Sequence, residues 1–196
     1  MKKGLFIAIS GPSGVGKGTF INMLKERFKE GIYVLSHTTR QPRAGEVNGE
    51  QYYFISEAEF KKGIEDGLYL EWALVHQGAY YGILKAPVEA ALAEGKIIIR
   101  EMDVQGWRSV KTQIPAEQFV DIFIVPENME LLKKHILGRS PMGEEELERR
   151  LASARVEMES SGGFQYKVVS PEGDLEKGFT ELMSVVFDES EKRGLV

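Results

Sequence analysis

Leu5-Phe6-Ile7-Ala8-Ile9-Ser10-Gly11-Pro12-Ser13-Gly14-Val15-Gly16-Lys17-Gly18-Thr19 passes from an apolar run directly into a glycine-rich loop. The run is short and continuous, as in a parallel strand buried on both faces. After the loop, residues 19–29 place Phe20, Met23, Leu24 and Phe28 on one side of a helix. Glycines in such a loop let successive N–H groups turn inward onto phosphate oxygens. The helix start adds the positive end of its dipole, and Lys17 reaches the β- and γ-phosphates as a point charge. A hydroxyl residue usually follows this lysine to meet Mg²⁺. Here Gly18 stands there and Thr19 comes next. Thr19 is therefore expected to act through water on the metal or on the α-phosphate.

Outward from this unit, strand and helix patterns alternate, which predicts an α/β layer fold with about five core strands. Strands are expected at 33–36, 51–55, 69–75, 97–101, 119–125 and 166–169. Helices are expected at 57–66, 87–94, 106–113, 127–137, 144–159 and 175–192. Ser56 with Glu59 fits a capping box. Residues 35–84 break the alternation with several extended pieces and read as an inserted β-rich sub-domain. Residues 127–159 are helical and charged, broken at Gly138 and Gly143, and read as a lid. The remainder, 1–34, 85–126 and 160–196, forms the core. The whole is a three-layer α/β/α arrangement around a parallel sheet.

The bulk properties exclude several classes. The chain has 196 residues, 42% of them hydrophobic, enough for one domain with a true core. It contains no cysteine, so disulfides, thiolate metal sites and cysteine nucleophiles are excluded. A net charge of −5 argues against nucleic-acid binding. No apolar run approaches the ~20 residues that span a bilayer, and the start is too short an apolar stretch for a signal peptide. The charged helical surfaces suit a cytoplasmic protein. His37, His76 and His135 have no metal-ligand spacing.

A second charged constellation follows the loop. Ser36-His37-Thr38-Thr39-Arg40-Gln41-Pro42-Arg43-Ala44-Gly45-Glu46-Val47-Asn48-Gly49 sets two arginines three apart, and guanidinium forks suit a phosphate dianion. Tyr52 and Tyr81 offer hydroxyls at strand ends. Glu71 lies in Glu71-Trp72-Ala73 among apolar neighbours, where a carboxylate is costly unless paired. The rings of Tyr52, Tyr81 and Trp72 are expected in the core, with the tyrosine hydroxyl tips left for function. Arg149-Arg150 sits among Glu144, Glu145, Glu146 and Glu148, so Arg150 reads either as a salt-bridge face or as a site residue.

These motifs, with Tyr52-Tyr53-Phe54, Tyr80-Tyr81-Gly82 and Asp103-Val104-Gln105-Gly106, resemble the guanylate kinase family across the whole chain. The resemblance implies a P-loop kinase that passes a phosphoryl group from ATP with Mg²⁺ to GMP or dGMP, as a monomer or homodimer. It implies that residues 11–19 hold ATP, with Lys17 catalytic. It implies that Arg40, Arg43, Tyr52 and Tyr81 grip the acceptor phosphate. Glu71 would accept from guanine N1–H and the 2-amino group, with Ser36 and Asp103 as further base-side contacts. Arg139 and Arg150 correspond to lid arginines that close with Arg43 on the transferring phosphates. Glu101, at the end of an apolar strand, would organise Mg²⁺ through water.

The sequence departs from that pattern in three places. After Tyr81-Gly82 the family usually carries a small hydroxyl residue that helps read guanine, and Ile83 donates nothing. Residues 74–79 are one longer than usual. Val169-Ser170-Pro171-Glu172-Gly173 replaces a common Asn-acidic pair near the donor adenine. Poorer base discrimination is expected. Two other readings compete. One is a related kinase of another phosphorylated small molecule, such as ribose 1,5-bisphosphate. The other is a non-catalytic guanylate-kinase-like binding module, against which the intact Gly16-Lys17 pair argues.

Overall fold

The computed structural model describes residues 3–75, 78–139 and 142–196, with Val75 and Arg139 described in their backbone alone. The chain runs β1 (Leu5–Ser10), α1 (Lys17–Arg27), β2 (Gly31–Ile32), β3 (His37–Thr38), β4 (Tyr53–Phe54), α2 (Glu57–Glu65), β5 (Tyr69–Val75) and β6 (Ala79–Leu84). It continues α3 (Lys85–Ala93), β7 (Ile97–Glu101), α4 (Val104–Lys111), β8 (Phe119–Pro126), α5 (Met129–Arg139), α6 (Glu144–Glu159), β9 (Tyr166–Ser170) and α7 (Leu175–Glu191).

Five strands form a parallel sheet in the order β2-β7-β1-β8-β9. Alternate residues of β1 feed two cores, as the two-residue period of a strand requires. Leu5, Ile7 and Ile9 join Phe20 and Leu24 of α1, Leu132 and Ile136 of α5, Leu147 and Leu151 of α6, and Leu182 and Val186 of α7. Phe6 and Ala8 join Val88 and Leu92 of α3 and Val104, Trp107 and Val110 of α4. Helices thus cover both faces, giving the expected α/β/α layering.

Beneath the second core, Asp121 of β8 is fully buried. It accepts from Trp107 Nε1 at 2.7 Å, Lys111 Nζ at 2.8 Å and the Gln165 backbone N–H at 2.6 Å. Four strands in the order β4-β3-β6-β5 make a second sheet, with α2 attached through the Ser56–Glu59 capping box. Phe60 of α2 stacks on Tyr69 with ring centroids 4.3 Å apart.

Some boundaries differ from the sequence reading. Residues 33–36 are not a strand, because their carbonyls bond elsewhere. Val34 O accepts from Arg100 Nη1 at 3.2 Å, and Ser36 O accepts from Tyr53 N at 2.9 Å. Helix α1 starts at Lys17, two residues early, because Gly16 takes a left-handed N-cap conformation with φ 99°. Trp72 is not a core residue. It is 47% exposed and tilts against Tyr80.

Candidate active site

The phosphate loop leaves the C-terminal end of β1, where a parallel sheet presents its crevice. Gly11 has φ 150°, and a Cβ there would lie 2.4 Å from Ile124 O. Gly14 has φ 92°, and a Cβ would meet Ile136 Cγ1 at 2.8 Å. The loop therefore sits tight against β8 and α5, and only glycine fits. Lys17 folds back over it, with Nζ donating to Gly11 O at 2.6 Å and Pro12 O at 3.1 Å.

Two cavities flank this loop. One, of about 480 Å³, is lined by loop residues, by Ser36, Tyr52 and Tyr81, and by Arg100, Glu101 and Asp103 from the end of β7, with Glu157 from α6. The other, of about 710 Å³, opens between Thr19, Lys134, His135, Ser170, Pro171 and Gly173. Gly14 and Gly16 belong to both walls. Ser13 and Lys17 line the first cavity, Val15 and Thr19 the second.

Beside the first cavity, against its wall residues Tyr52 and Tyr81, Arg40 is held firmly. Its Nη atoms bond Glu46 carboxylate oxygens at 2.8 and 2.9 Å, and its Nε donates to the Tyr81 hydroxyl at 3.1 Å. The guanidinium also lies 5.5 Å from the Tyr52 ring centre. Tyr52 and Tyr81 pack edge to face at 5.8 Å. The Arg40 guanidinium and the Arg43 N–H hold the Glu46 carboxyl down to about 2. Arg43 itself is exposed.

Away from Arg40, Asp103 lines the cavity and Glu71 converges with it over the first turn of α4. A Cβ on Gly106 would lie 3.2 Å from Glu71 Oε2 and 3.4 Å from Asp103 Oδ1. Asp103 caps that helix through Gly106 N at 2.7 Å. Burial pushes the Glu71 carboxyl above the usual carboxylate range, and Arg100, 4.0 Å away, opposes the rise. Ser36 is buried and accepts from Arg100 Nη2.

Not every expected residue reaches the cleft. Arg150 bonds Glu146 Oε1 through Nε at 2.7 Å, the i,i+4 pairing. The side chain of Arg139, at the end of α5, lies outside the described residues, as do His76 and Gln77 in the long 74–79 segment. Ile83 is fully buried and pairs across the sheet with Glu71.

Two cleft residues escaped the sequence reading. Glu157 projects from α6, and burial raises its carboxyl against the opposing charge of Lys17. It falls three positions beyond Ala154 and seven beyond Arg150, on one helical face. Arg100 is a cation set directly after three isoleucines of β7, a signal visible in Ile97-Ile98-Ile99-Arg100.

The guanylate kinase family model matches residues 3–189. The guanylate kinase of Helicobacter pylori (strain ATCC 700392 / 26695) is 45% identical over 179 residues, covering 91% of this chain and 84% of that protein. The guanylate kinase of Caldanaerobacter subterraneus subsp. tengcongensis is 42% identical over 188 residues, covering 96% and 89%. The crystal structure of guanylate kinase from Anaplasma phagocytophilum superposes with a TM-score of 0.74 at 26% identity, covering 96% of this chain and 87% of that one. With the phosphate loop, the inserted second sheet and these relatives in agreement, the chain belongs to the guanylate kinase family.

Proposed function

We propose that this protein transfers the γ-phosphoryl group of ATP to GMP, and to dGMP, with the two nucleotides lying on opposite sides of the phosphate loop. The observation that carries the reading is the shared wall. Gly14 and Gly16 border both cavities, so a triphosphate lying along the loop from one side meets an acceptor lying in the other. ATP takes the cavity between Thr19, His135 and Ser170, with its phosphates on residues 11–19 and Lys17. GMP takes the 480 Å³ cleft, with its phosphate toward Arg40, Arg43, Tyr52 and Tyr81 and its base toward Ser36, Glu71 and Asp103. The second sheet, within residues 35–84, is then the acceptor-binding sub-domain.

Little covalent chemistry is required of the protein. The attacking phosphate oxygen is already ionised, so no general base is needed, and catalysis rests on in-line placement and charge neutralisation. Lys17 supplies charge at the donor phosphates. Helices α5 and α6, within 127–159, act as a lid whose closure carries Arg150 and Arg139 onto the moving group and excludes water. Arg150 exchanges its Glu146 partner for phosphate in that step.

The residues suit Mg²⁺ bound mainly by water and phosphate. Among the described residues no three acidic or imidazole side chains gather into a metal-holding group. Glu101 lines the cleft, where it would hold metal-bound waters, and Thr19 opens onto the donor side. Bound there with ATP, the ion would neutralise charge on the β- and γ-phosphates.

A cytoplasmic location goes with this reading; among the described residues no helix is long and apolar enough to cross a membrane. The test is a coupled ADP-release assay with ATP–Mg²⁺ and GMP, dGMP, AMP, CMP, UMP and ribose 1,5-bisphosphate. Turnover confined to GMP and dGMP is expected. Turnover with ribose 1,5-bisphosphate alone would defeat the proposal, and so would GMP binding without turnover.

A further inference from the structure

Guanine presents three neighbouring groups on one edge: the 2-amino and N1–H donors and the O6 acceptor. A carboxylate satisfies the two donors. O6 needs a donor of its own, and the side chain beside Glu71 on the sheet cannot supply one. That neighbour is Ile83, its cross-strand partner, which is apolar and fully buried.

The donor next to Glu71 comes instead from the other sheet. Arg100 occupies the end of β7, on the same strand face as buried Ile98, and lines the cleft with Ser36, Tyr52 and Tyr81. A guanidinium carries five N–H donors. Described partners engage its two terminal nitrogens, Nη1 with Val34 O at 3.2 Å and Nη2 with the Ser36 hydroxyl. Nε is buried and has no hydrogen-bond partner among the described residues. The Glu71 carboxylate stands 4.0 Å from Nη2, close enough to share a ligand and too far for a hydrogen bond. A cation with a spare donor thus lines the cleft beside a carboxylate.

We infer that Arg100 reads the O6 atom of the guanine base, completing with Glu71 a donor–acceptor pair that this chain uses in place of a hydroxyl at position 83. The inference rests on the GMP reading above. It also accounts for discrimination against adenine. Adenine places an amino group where guanine has O6, so the guanidinium would face another donor, and Glu71 would face the bare N1 acceptor. Arg100 is thus a specificity-determining residue and takes no part in the transfer step.

The experiment crosses two variants with four acceptors. R100K keeps a cation beside Glu71 but loses the planar fork, and R100M loses both. The acceptors are GMP and IMP, which carry O6, and 2-aminopurine riboside 5′-monophosphate and AMP, which do not. KM is measured for each, or an inhibition constant against GMP where turnover is slow, and KM for ATP reports the integrity of the fold. In both variants KM for GMP and IMP is expected to rise roughly 10- to 100-fold, the value of a hydrogen bond to a charged group. The constant for 2-aminopurine riboside 5′-monophosphate is expected to stay within about 2-fold, as is KM for ATP, and that for AMP to hold or fall as the clashing donor is removed.

Equal losses across all four acceptors would overturn the inference, since Arg100 would then act only by holding Glu71 or the fold. Unchanged GMP and IMP constants would overturn it too. R100K retains the partner of Glu71 and keeps the test available if R100M does not fold. A wild-type protein without turnover on any acceptor would instead defeat the phosphoryl-transfer reading. The same contrast, read as dissociation constants by calorimetry, would still decide the role of Arg100.

Discussion

Arg40 and Glu46 face each other as a two-point ion pair, Nη1 to Oε2 at 2.8 Å and Nη2 to Oε1 at 2.9 Å. The same carboxylate accepts the backbone N–H of Arg43 at 2.7 Å. One acid therefore sets both the orientation of the first arginine and the turn that carries the second. Glu46→Gln is expected to raise KM for GMP on the order of 10-fold, through looser placement of the acceptor phosphate. KM for ATP should not move, and steady-state kinetics with each substrate varied in turn checks this.

The same pair has a pH signature. Glu46 is held at about 2 against its usual 4.5. A lowered carboxyl contributes stability that is complete above 4.5 and disappears as pH falls through about 2. The Tm difference between wild type and Glu46→Gln is therefore expected to be largest near neutral pH and to close on the acid side. Thermal melts across that range decide it.

On the proposed assignment of the donor site, Lys17→Met removes the charge that would bridge the loop to the donor phosphates. kcat is expected to fall by roughly 10³-fold or more, since positioning and electrostatics carry phosphoryl transfer. Tm should stay close to wild type, because the core beneath the loop is built from Leu5, Ile7 and Ile9. Undiminished turnover would remove Lys17 from the donor site.

To accept from guanine as proposed, Glu71 must be ionised, yet burial raises its carboxyl. Acceptor affinity is therefore expected to weaken as pH falls through a value above the usual 4.5. The stability of the ligand-free protein moves the other way, because protonation relieves a buried charge. Glu71→Gln should abolish the acid limb of the KM profile for GMP and leave that for ATP unchanged.

Asp121 is fully buried and serves three donors. Asp121→Ala strands the Trp107 indole N–H and the Lys111 ammonium group together, and is expected to cost about 3–5 kcal/mol of unfolding free energy. Urea denaturation measures it directly, and a loss below ~1 kcal/mol would mean that water replaces the carboxylate.

The fold was legible because its signals are local. The apolar runs of β1, β7 and β8, the capping box of α2 and the glycine loop each declare themselves within a few residues. The 33–36 stretch misled for the opposite reason. Its side chains look strand-like, but its carbonyls answer to Arg100 and Tyr53, distant in sequence. Trp72 misled because an aromatic flanked by strand residues suits a core, whereas β5 turns that face outward. Of the candidate site, the glycine loop and the arginine loop are continuous in sequence and stand out there as motifs. Arg100 and Glu157 do not, because each is a single residue whose meaning comes from partners on other elements. Their clue was a charge at an otherwise apolar strand end and a helical face.

The two sheets differ in how deeply their backbones are locked. Strand β7 lies between β1 and β2 with Ile97, Ile98 and Ile99 buried, and Arg100 follows them before the strand ends at Glu101. Strands β3 and β4, which lead into and out of the arginine loop, are two residues each. Native-state hydrogen exchange should then separate the acceptor site into two cooperative units. Amides of Ile98 and Ile99 would exchange only with global unfolding. Those around Arg40 would exchange through a cheaper, sub-global opening that leaves the floor under the base intact. On the proposed assignment, the phosphate end of the acceptor would be released while the surface proposed to identify the base keeps its shape.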